Sequence, residues 1–339
     1  MESDVVWCEA TGSPGESVNS GRPFFEYKSY SFNSLCNNEI ASIGRPIAPL
    51  EFTVKNALTV DLEDYYHVSA FAGQVPVDAW DSRSSRVEDN TDHLLELFAA
   101  ADSTATFFTL GWVAERHPHL IRRIAQAGHE IACHSHRHNY VYALTRDEFR
   151  QDTLQAKQAL EDVAGCRVVG YRAPSFSITN DSKWAYEVLV ELGFQYDSSV
   201  FPVRHPNYGM PQAPRFPYRV ATPSGDILEF PLPTLDLGGR RSPFGGGAYL
   251  RFLPGWYTEW AIRFVNGEES HPVCVYVHPW EIDPQQPRMK GPITSRLRHY
   301  MGLRSTERKL RNLLKRFEFC SLGKLIEESY PGAPSIGKQ

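Results

Sequence analysis

Short apolar runs alternate with longer amphipathic segments over most of this chain, from about residue 56 to residue 278. Runs of β-branched and aromatic residues predict strands, and segments whose apolar residues recur every three or four positions predict helices. The predicted strands are Asn56–Val60, Ala105–Leu110, Glu130–His134, Arg167–Gly170, Phe194–Tyr196, Ile227–Pro231 and Val273–His278. Strands and helices that alternate at this spacing predict a parallel sheet or an α/β barrel.

The helices between these strands carry recognisable start and stop signals. Thr145 and Glu148 form a capping box that opens a helix to about Ala164, where Gly165 ends it. Further helices are predicted at Asp92–Ala101, Pro118–Ala127, Asn180–Leu192 and Pro254–Asn266, and the segment from Thr294 to Glu328 is predicted to be mostly helical. The glycine run at Gly245–Leu250 is interpreted as a flexible connector rather than a substrate loop.

The remaining sequence sets the domain limits. Residues 1–55 are rich in Ser, Gly, Asn, Pro and Glu and lack sustained periodicity, which predicts a disordered or loosely ordered N-terminal extension. One ordered domain is predicted over residues 56–330. At 339 residues and 42% hydrophobic content, the chain is large enough to bury a sizeable core.

Chemically useful side chains fall where predicted strands end. Asp61, His134, Arg172, Asp197 and His278 each follow or close an apolar run. The active sites of α/β barrels are built at the C-terminal ends of their strands. Five such residues on five predicted strands therefore predict one site.

Two histidines are the first candidates for a metal site. His134 and His138 are four residues apart, and their rings face the same way if a helical turn begins after the strand. Neutral imidazole suits Zn²⁺, Co²⁺ or Ni²⁺. The alternative is a His-rich surface loop. His136 lies between them and is predicted to point elsewhere.

A carboxylate cluster supplies a third ligand and a base. One of Asp61, Glu63 and Asp64 completes a His-His-carboxylate set, and another takes a proton from water. His278 is a candidate general acid or a packed core histidine. Arg172 would keep Asp61 ionised, or is a plain surface arginine.

Composition limits the possible partners. The net charge of −5 does not indicate nucleic acid, although residues 288–316 carry ten Lys/Arg and one acid, which is interpreted as a solvated helix face. No run of about 20 apolar residues predicts a membrane span, and no signal pattern opens the chain. Six cysteines without CxxC spacing predict free thiols in a reducing compartment, and we expect a cytoplasmic protein.

Five ordered phrases carry a resemblance. They are Leu58–His67 (LTVDLEDYYH), Gly128–His138 (GHEIACHSHRH), Tyr171–Ser177 (YRAPSFS), Gly193–Ser199 (GFQYDSS) and Val277–Glu281 (VHPWE). Over residues 56–330 the chain resembles the polysaccharide deacetylases with a NodB homology domain, carbohydrate esterase family 4. More narrowly, it resembles the subgroup from exopolysaccharide loci associated with PEP-CTERM/exosortase systems.

The resemblance implies a distorted (β/α) barrel with fewer than eight full units, a C-terminal helical extension, and a subfamily-specific region from about residue 200. It also implies one divalent metal ion, usually zinc, bound by Asp-His-His. His134 and His138 match the metal histidines, and Asp61 matches the catalytic base. The usual adjacent Asp-Asp pair is interrupted here, so the metal carboxylate is Glu63 or Asp64, with a slight preference for Asp64.

The remaining family roles fall on strand ends further along the chain. Arg172 matches the arginine that tethers the base, and His278 matches the general acid. Asp197 resembles the supporting partner of that histidine, although its context in the sequence equally allows a turn cap or a partner of arginine. Trp280 is expected to line a pocket for the acetyl methyl group.

These implications predict a hydrolase that removes N-acetyl groups from an acetylated oligo- or polysaccharide or its precursor. Contact with exopolysaccharide assembly machinery is expected, and nucleic acid is not. Two alternatives stay open. One is a metal-dependent hydrolase of another non-peptide C–N bond, such as a cyclic amide or ureide. The other is a carbohydrate-binding pseudoenzyme that keeps the groove without the chemistry.

Overall fold

The computed structural model of the chain describes residues 54–205 and 208–330. The predicted N-terminal extension, residues 1–55, lies outside this range except for its last two residues. The ordered domain predicted over residues 56–330 corresponds closely to the described part. Among the described helices, none combines the length and the apolar character needed to cross a bilayer.

A nine-stranded, mostly parallel sheet forms the centre of the domain, and a two-stranded antiparallel ribbon lies apart from it. The strands are β1 (Asn56–Leu62), β2 (Thr106–Thr109), β3 (Glu130–Cys133), β4 (Gly170–Tyr171), β5 (Tyr196–Asp197), β6 (Tyr218–Thr222), β7 (Gly225–Glu229), β8 (Thr234–Asp236), β9 (Arg241–Pro243), β10 (Cys274–Val277) and β11 (Phe319–Cys320). The sheet order is β10-β1-β2-β3-β4-β5-β7-β6, with β11 also paired to β1.

This order confirms the predicted α/β fold. Strands β10, β1, β2, β3, β4, β5 and β7 pair in parallel, and only β6 runs antiparallel, as a hairpin with β7. Every residue of β1 is buried, as expected for a parallel strand covered on both faces. The pairing between described strands does not close on itself, in keeping with a distorted barrel of fewer than eight units.

Ten α-helices accompany the described strands. They are α1 (Val87–Ala99), α2 (Gly111–Arg116), α3 (Pro118–Gln126), α4 (Arg146–Ala164), α5 (Trp184–Glu191), α6 (Gly247–Phe252), α7 (Gly255–Gly267), α8 (Ile293–Tyr300), α9 (Leu303–Arg316) and α10 (Leu322–Ser329). The capping box of α4 is present as predicted, with Thr145 accepting from the Glu148 N–H, and Gly165 ends the helix in the left-handed region.

The glycine run does not form a flexible connector. Gly247 starts helix α6, and Gly246 pairs with Tyr276 of β10 in a parallel bridge. A Cβ on Gly246 would lie 2.2 Å from the Tyr276 carbonyl oxygen. Position 246 therefore needs glycine, because the backbone there lies close to the end of β10. The interpretation of this run as a flexible connector is thus corrected.

Candidate active site

The C-terminal ends of adjacent parallel strands bring the predicted polar side chains together. Asp61 lies near the end of β1, while His134, Arg172 and His278 directly follow β3, β4 and β10. These strands occupy neighbouring positions in the sheet, so their carboxyl ends share one edge. Asp61, His134 and Arg172 are buried, and the side chain of His278 is 15% exposed. Sheet topology thus joins residues that are more than 200 positions apart in sequence.

Glu63, His134 and His138 form a buried cluster of potential metal ligands. One ligand atom from each lies within 4.8 Å of the others. Glu63 Oε2 is 3.4 Å from His138 Nε2 and is buried without a hydrogen-bond partner among the described residues. An orphaned carboxylate oxygen that faces two imidazoles fits a divalent cation, because the cation would supply the missing interaction.

Each imidazole is oriented by a contact on its far side. His134 Nδ1 donates to the Arg172 carbonyl oxygen over 2.7 Å, which leaves Nε2 as the available ligand atom. His138 Nδ1 lies 3.2 Å from Ser69 Oγ. Burial lowers the pKa of His134 to about 4, so its ring is neutral and free to coordinate near pH 7.

The two rings meet through a loop rather than the helical turn expected from their spacing. Ser135 and His138 adopt left-handed backbone angles, with φ of 67° and 56°. The His138 N–H donates to Ser135 Oγ over 3.1 Å, which stabilises this reversal. His136 turns away as predicted, and its Nε2 lies 3.1 Å from Gln155 Nε2.

Asp64 is a helix cap in this structure, which corrects the slight preference for it as the metal carboxylate. Its Oδ1 accepts from the Tyr65 N–H, and its Oδ2 accepts from Ser85 Oγ and the N–H groups of Arg86 and Val87. These contacts hold the carboxylate at the start of α1, outside the ligand cluster. Glu63, which directly follows β1, is the carboxylate that lies with His134 and His138 in the cluster of potential ligands.

Arg172 holds Asp61 in place. Its Nη1 donates to Asp61 Oδ1 over 2.7 Å and to Thr59 Oγ1 over 2.8 Å. Its other donors reach the Ser198 carbonyl oxygen, Ser198 Oγ and Cys274 Sγ. The guanidinium is fully buried and all its N–H groups are engaged. Arg172 therefore fixes the position of one oxygen of Asp61.

The Nε2 atom of His278 faces the carboxylates of Glu63 and Asp61. This atom lies 3.1 Å from Glu63 Oε1 and 3.8 Å from Asp61 Oδ2. Burial lowers the pKa of His278, but the carboxylates of Glu281 and Glu63 outweigh it and raise the pKa to about 10. The ring is therefore a protonated donor at neutral pH, as a general acid requires.

Glu281 is the partner of His278, and the sequence prediction of Asp197 for that role is wrong. Glu281 Oε2 accepts from the backbone N–H of His278 over 3.0 Å and lies 3.1 Å from His278 Nδ1. Glu281 Oε1 accepts from Arg251 Nε over 2.6 Å. Burial raises the pKa of Glu281, but His278 and Arg251 lower it to about 2. Asp197 instead accepts from Ser199 Oγ over 2.6 Å.

Asp197 belongs to a second buried carboxyl pair with Glu229. Burial raises the pKa of both groups, and the charge of Asp197 raises the pKa of Glu229 further. At Asp197, hydrogen bonds with Glu229 and Ser199 oppose the effect of burial. Tyr186 Oη donates to Glu229 Oε2 over 3.1 Å, and Glu229 Oε1 accepts from the Val200 N–H. This pair organises the chain after β5 rather than the imidazole of the candidate acid.

Glu281 and Arg251 were not predicted from the sequence as site residues. Glu281 belongs to the phrase Val277–Glu281, and its spacing of three residues from His278 was a usable signal. Arg251 carried no signal, because its contact to Glu281 exists only in the folded chain. Trp280 is buried, and its ring stacks between two imidazoles. Its ring centre lies 5.0 Å from that of His278 and 4.2 Å from that of His299.

Comparison with protein families finds two matches. The polysaccharide deacetylase family matches residues 78–196, and a domain of unknown function, DUF3473, matches residues 198–327. His134, His138 and Arg172 fall in the first match, and His278 falls in the second. Asp61 and Glu63 precede both, so the candidate site draws on three stretches of sequence that meet only in the fold.

Curated relatives are similar over short stretches. A peptidoglycan deacetylase of Helicobacter pylori is 31% identical over 107 residues, 32% of this chain and 36% of that protein. A peptidoglycan-N-acetylglucosamine deacetylase of Bacillus cereus is 34% identical over 98 residues, 29% of this chain and 36% of that protein. The chain thus spans about a third of the length of these relatives.

Solved structures share the fold. A protein of Mycobacterium smegmatis assigned to the polysaccharide deacetylases superposes with a TM-score of 0.54 at 21% identity, covering 81% of this chain and 90% of that one. PuuE allantoinase superposes with a TM-score of 0.55 at 17% identity, covering 86% and 96%. The family match over residues 78–196 and the short similarities to curated deacetylases agree that this chain contains a region similar to the polysaccharide deacetylases, and the solved structures share its fold.

Proposed function

We propose that this chain is a metal-dependent hydrolase that removes the acetyl group from N-acetylhexosamine residues of an oligo- or polysaccharide. The observation that carries the proposal is the position of Asp61 and His278 beside the ligand cluster of Glu63, His134 and His138. A base, an acid and a three-ligand site within one buried edge of a sheet are the parts that amide hydrolysis requires.

Glu63, His134 and His138 would hold the metal, and a set of one carboxylate and two imidazoles is a ligand set of catalytic Zn²⁺ sites. When bound, the ion polarises the amide carbonyl and lowers the pKa of water. Asp61, fixed by Arg172, accepts the proton of the attacking water. His278 gives a proton to the departing nitrogen as the C–N bond breaks, so that acetate and a free sugar amine leave.

The biological setting is proposed from the sequence phrases, which resemble the exopolysaccharide-locus subgroup. The chain would act on a polymer or its precursor during exopolysaccharide biosynthesis, in contact with assembly machinery. We propose a cytoplasmic location, which is supported by the free thiols of Cys133, Cys166, Cys274 and Cys320. The names of the curated relatives, which act on peptidoglycan, support N-acetylglucosamine as the sugar.

The test combines metal content with acetate release from N-acetylglucosamine oligomers. We expect the wild-type protein to bind one equivalent of zinc and to release acetate. The Asp61→Asn variant is expected to keep the metal and lose activity, whereas His134→Ala should lose both. Activity that survives in His134→Ala would overturn the metal-dependent mechanism.

The same assay separates the two alternatives. Hydrolysis of a cyclic ureide such as allantoin, without acetate release from oligomers, would replace the deacetylase by a hydrolase of another C–N bond. Tight oligosaccharide binding without turnover in the zinc-loaded protein would favour a pseudoenzyme. The presence of base, acid and ligand cluster in one site argues against a pseudoenzyme.

A further inference from the structure

Exposed apolar side chains are concentrated in one stretch of the chain. Nine large hydrophobic side chains are exposed among the described residues, and six of them lie between residues 252 and 301. These six are Phe252, Trp256, Trp260, Ile293, Leu297 and Met301. Single exposed hydrophobics are ordinary on a protein surface, but a concentration of them marks an interaction surface.

Helix α8 and its C-cap residue, Met301, carry three of these side chains at helical spacing. Ile293, Leu297 and Met301 follow one another at intervals of four residues and are 72%, 61% and 51% exposed. The opposite side of the helix carries His299, which is buried against Trp280. The helix is thus anchored to the domain by one face and leaves an apolar stripe uncovered.

Phe252 belongs to a helix end that contacts the C-terminal end of α8. The Nη1 group of Arg251 donates to the carbonyl oxygens of Arg298, His299 and Met301 over 2.8, 2.8 and 3.0 Å. The Cζ atom of the Arg251 guanidinium lies 5.3 Å from the centre of the Phe252 ring. Arg251 therefore joins the end of α6, which carries Phe252, to the C-terminal end of α8.

Cations border the stripe. Successive residues of a helix are rotated by about 100°, so Arg296 and Arg298 lie on opposite edges of the side that carries Leu297. Both are exposed, as is Lys290 just before the helix. Within residues 54–205 and 208–330, no ion pair involves any of these three. The segment 288–316 carries ten Lys/Arg and one acid, so the surrounding field is positive.

We propose that the α8 stripe, defined as Ile293, Leu297 and Met301 with Arg296 and Arg298, docks the protein on the surface of a bilayer that contains anionic phospholipids. Aliphatic side chains bury their area among acyl chains, whereas they find little complementary surface on a hydrated saccharide. Arginines at the edges of the stripe would lie at the level of the lipid phosphates. The proposal is independent of the catalytic assignment.

Flotation of the full-length protein with vesicles tests the docking. We expect binding to vesicles of phosphatidylcholine and phosphatidylglycerol at low salt, weaker binding at high salt, and little binding to phosphatidylcholine alone. Arg296→Gln/Arg298→Gln should weaken binding about 25-fold, since each cation near such a surface contributes about fivefold. Ile293→Ser/Leu297→Ser should weaken it by a similar factor.

Matched controls carry the same kinds of change elsewhere on the surface. Arg122→Gln/Arg167→Gln removes two exposed arginines elsewhere, and Leu154→Ser removes an exposed leucine of α4. Both controls should bind vesicles like the wild type. All variants should keep the wild-type melting temperature and the wild-type activity on soluble oligosaccharide, because none of these residues belongs to the candidate active site.

Four results would overturn the proposal. The first is absence of wild-type binding to anionic vesicles, and the second is equal loss of binding in the controls and the α8 variants. The third is a dimer in sedimentation that Ile293→Ser/Leu297→Ser dissociates, which would assign the stripe to a second copy of the chain. The fourth is binding to a soluble polyanion such as dextran sulfate that competes with vesicles and survives Ile293→Ser/Leu297→Ser, which would make the surface a charge-only site.

Discussion

His278 Nδ1 lies 3.1 Å from Glu281 Oε2, and Arg251 holds the other oxygen of the same carboxylate over 2.6 Å. The buried chain Arg251–Glu281–His278 therefore ends at the ring that faces the candidate ligand cluster. A carboxylate on one imidazole nitrogen fixes the orientation of the ring and favours its protonated form. The opposite nitrogen then points at Glu63 and Asp61.

We expect Glu281→Gln to slow the release of acetate from an N-acetylated sugar by about 10²-fold, because the His278 ring loses the carboxylate that orients it and favours its protonated form. Hydrolysis of 4-nitrophenyl acetate should change by less than about threefold, since its leaving group needs no proton. Zinc stoichiometry should stay at the wild-type value. Steady-state kinetics on both substrates, with metal analysis, measure these three quantities.

The control for this substitution addresses folding. Glu281→Gln leaves Arg251 as a buried charge without its counter-ion, which is expected to destabilise the fold by about 3 kcal/mol. In the double variant Arg251→Met/Glu281→Gln, stability should recover while amide hydrolysis stays slow. If activity recovered together with stability, Glu281 would have a structural role only.

Glu63 and Asp64 are neighbours with different expected roles. Glu63→Gln should reduce zinc affinity by roughly 100-fold or more, because it removes the charged ligand of the cluster. Asp64→Ala should keep one zinc equivalent but lower the free energy of unfolding by about 2 kcal/mol, because it removes the cap of α1. Metal titration and urea denaturation of both variants measure the two effects. Zinc loss confined to Asp64→Ala would reverse the assignment.

Arg172→Lys keeps the charge at Asp61 but removes the planar set of donors. We expect kcat to fall by about 10- to 100-fold with unchanged zinc content, because Asp61 loses its fixed orientation and Ser198 loses both contacts from the side chain. Arg167→Lys, on the exposed surface before β4, is the matched control and should keep the wild-type rate. A kcat within twofold of wild type in Arg172→Lys would show that Asp61 needs no such support.

The raised pKa of His278 makes stability depend on pH in a defined direction. Its folded-state pKa of about 10 exceeds the ordinary value of 6.5. The contribution to stability is therefore complete below pH 6.5 and is lost as the pH rises toward 10. In metal-free protein, the free energy of unfolding should fall over this window with a slope of at most about 1.4 kcal/mol per pH unit.

Urea denaturation between pH 6.5 and 9.5 in the presence of a chelator measures this slope. His278→Gln removes the titrating group and should flatten the dependence relative to the wild type. Equal slopes in the two proteins would mean that the folded state does not raise the pKa of His278.

Close backbone approach at Gly246 predicts a strong effect of a single methyl group. Gly246→Ala would place its Cβ 2.2 Å from the Tyr276 carbonyl oxygen, two residues before His278. We expect destabilisation by about 3 kcal/mol and loss of activity, because backbone on both sides must move. Gly267→Ala at the end of α7 meets nothing within 4 Å and should change stability by less than about 1 kcal/mol. Thermal melts of both variants test the contrast.

The amino-acid sequence by itself determined the alternation of strands and helices, and with it the parallel sheet. Strand β1 is a buried apolar run that ends on carboxylates, and the capping box at Thr145 starts α4 where expected. Because the carboxyl ends of parallel strands share one edge, Asp61, Arg172 and His278 were predictable as neighbours. Local patterns specify these features, so the sequence alone predicts them.

Only the tertiary structure decided which of several chemically equivalent carboxylates lies at the ligand cluster and which lies beside His278. Glu63 and Asp64 are both carboxylates after the same strand. Backbone N–H groups at the start of α1 bind Asp64, and this keeps Asp64 out of the cluster. Glu281 rather than Asp197 faces His278, because the turn after β10 folds back over three residues. Such choices depend on contacts between distant segments, and neither periodicity nor residue type encodes them locally.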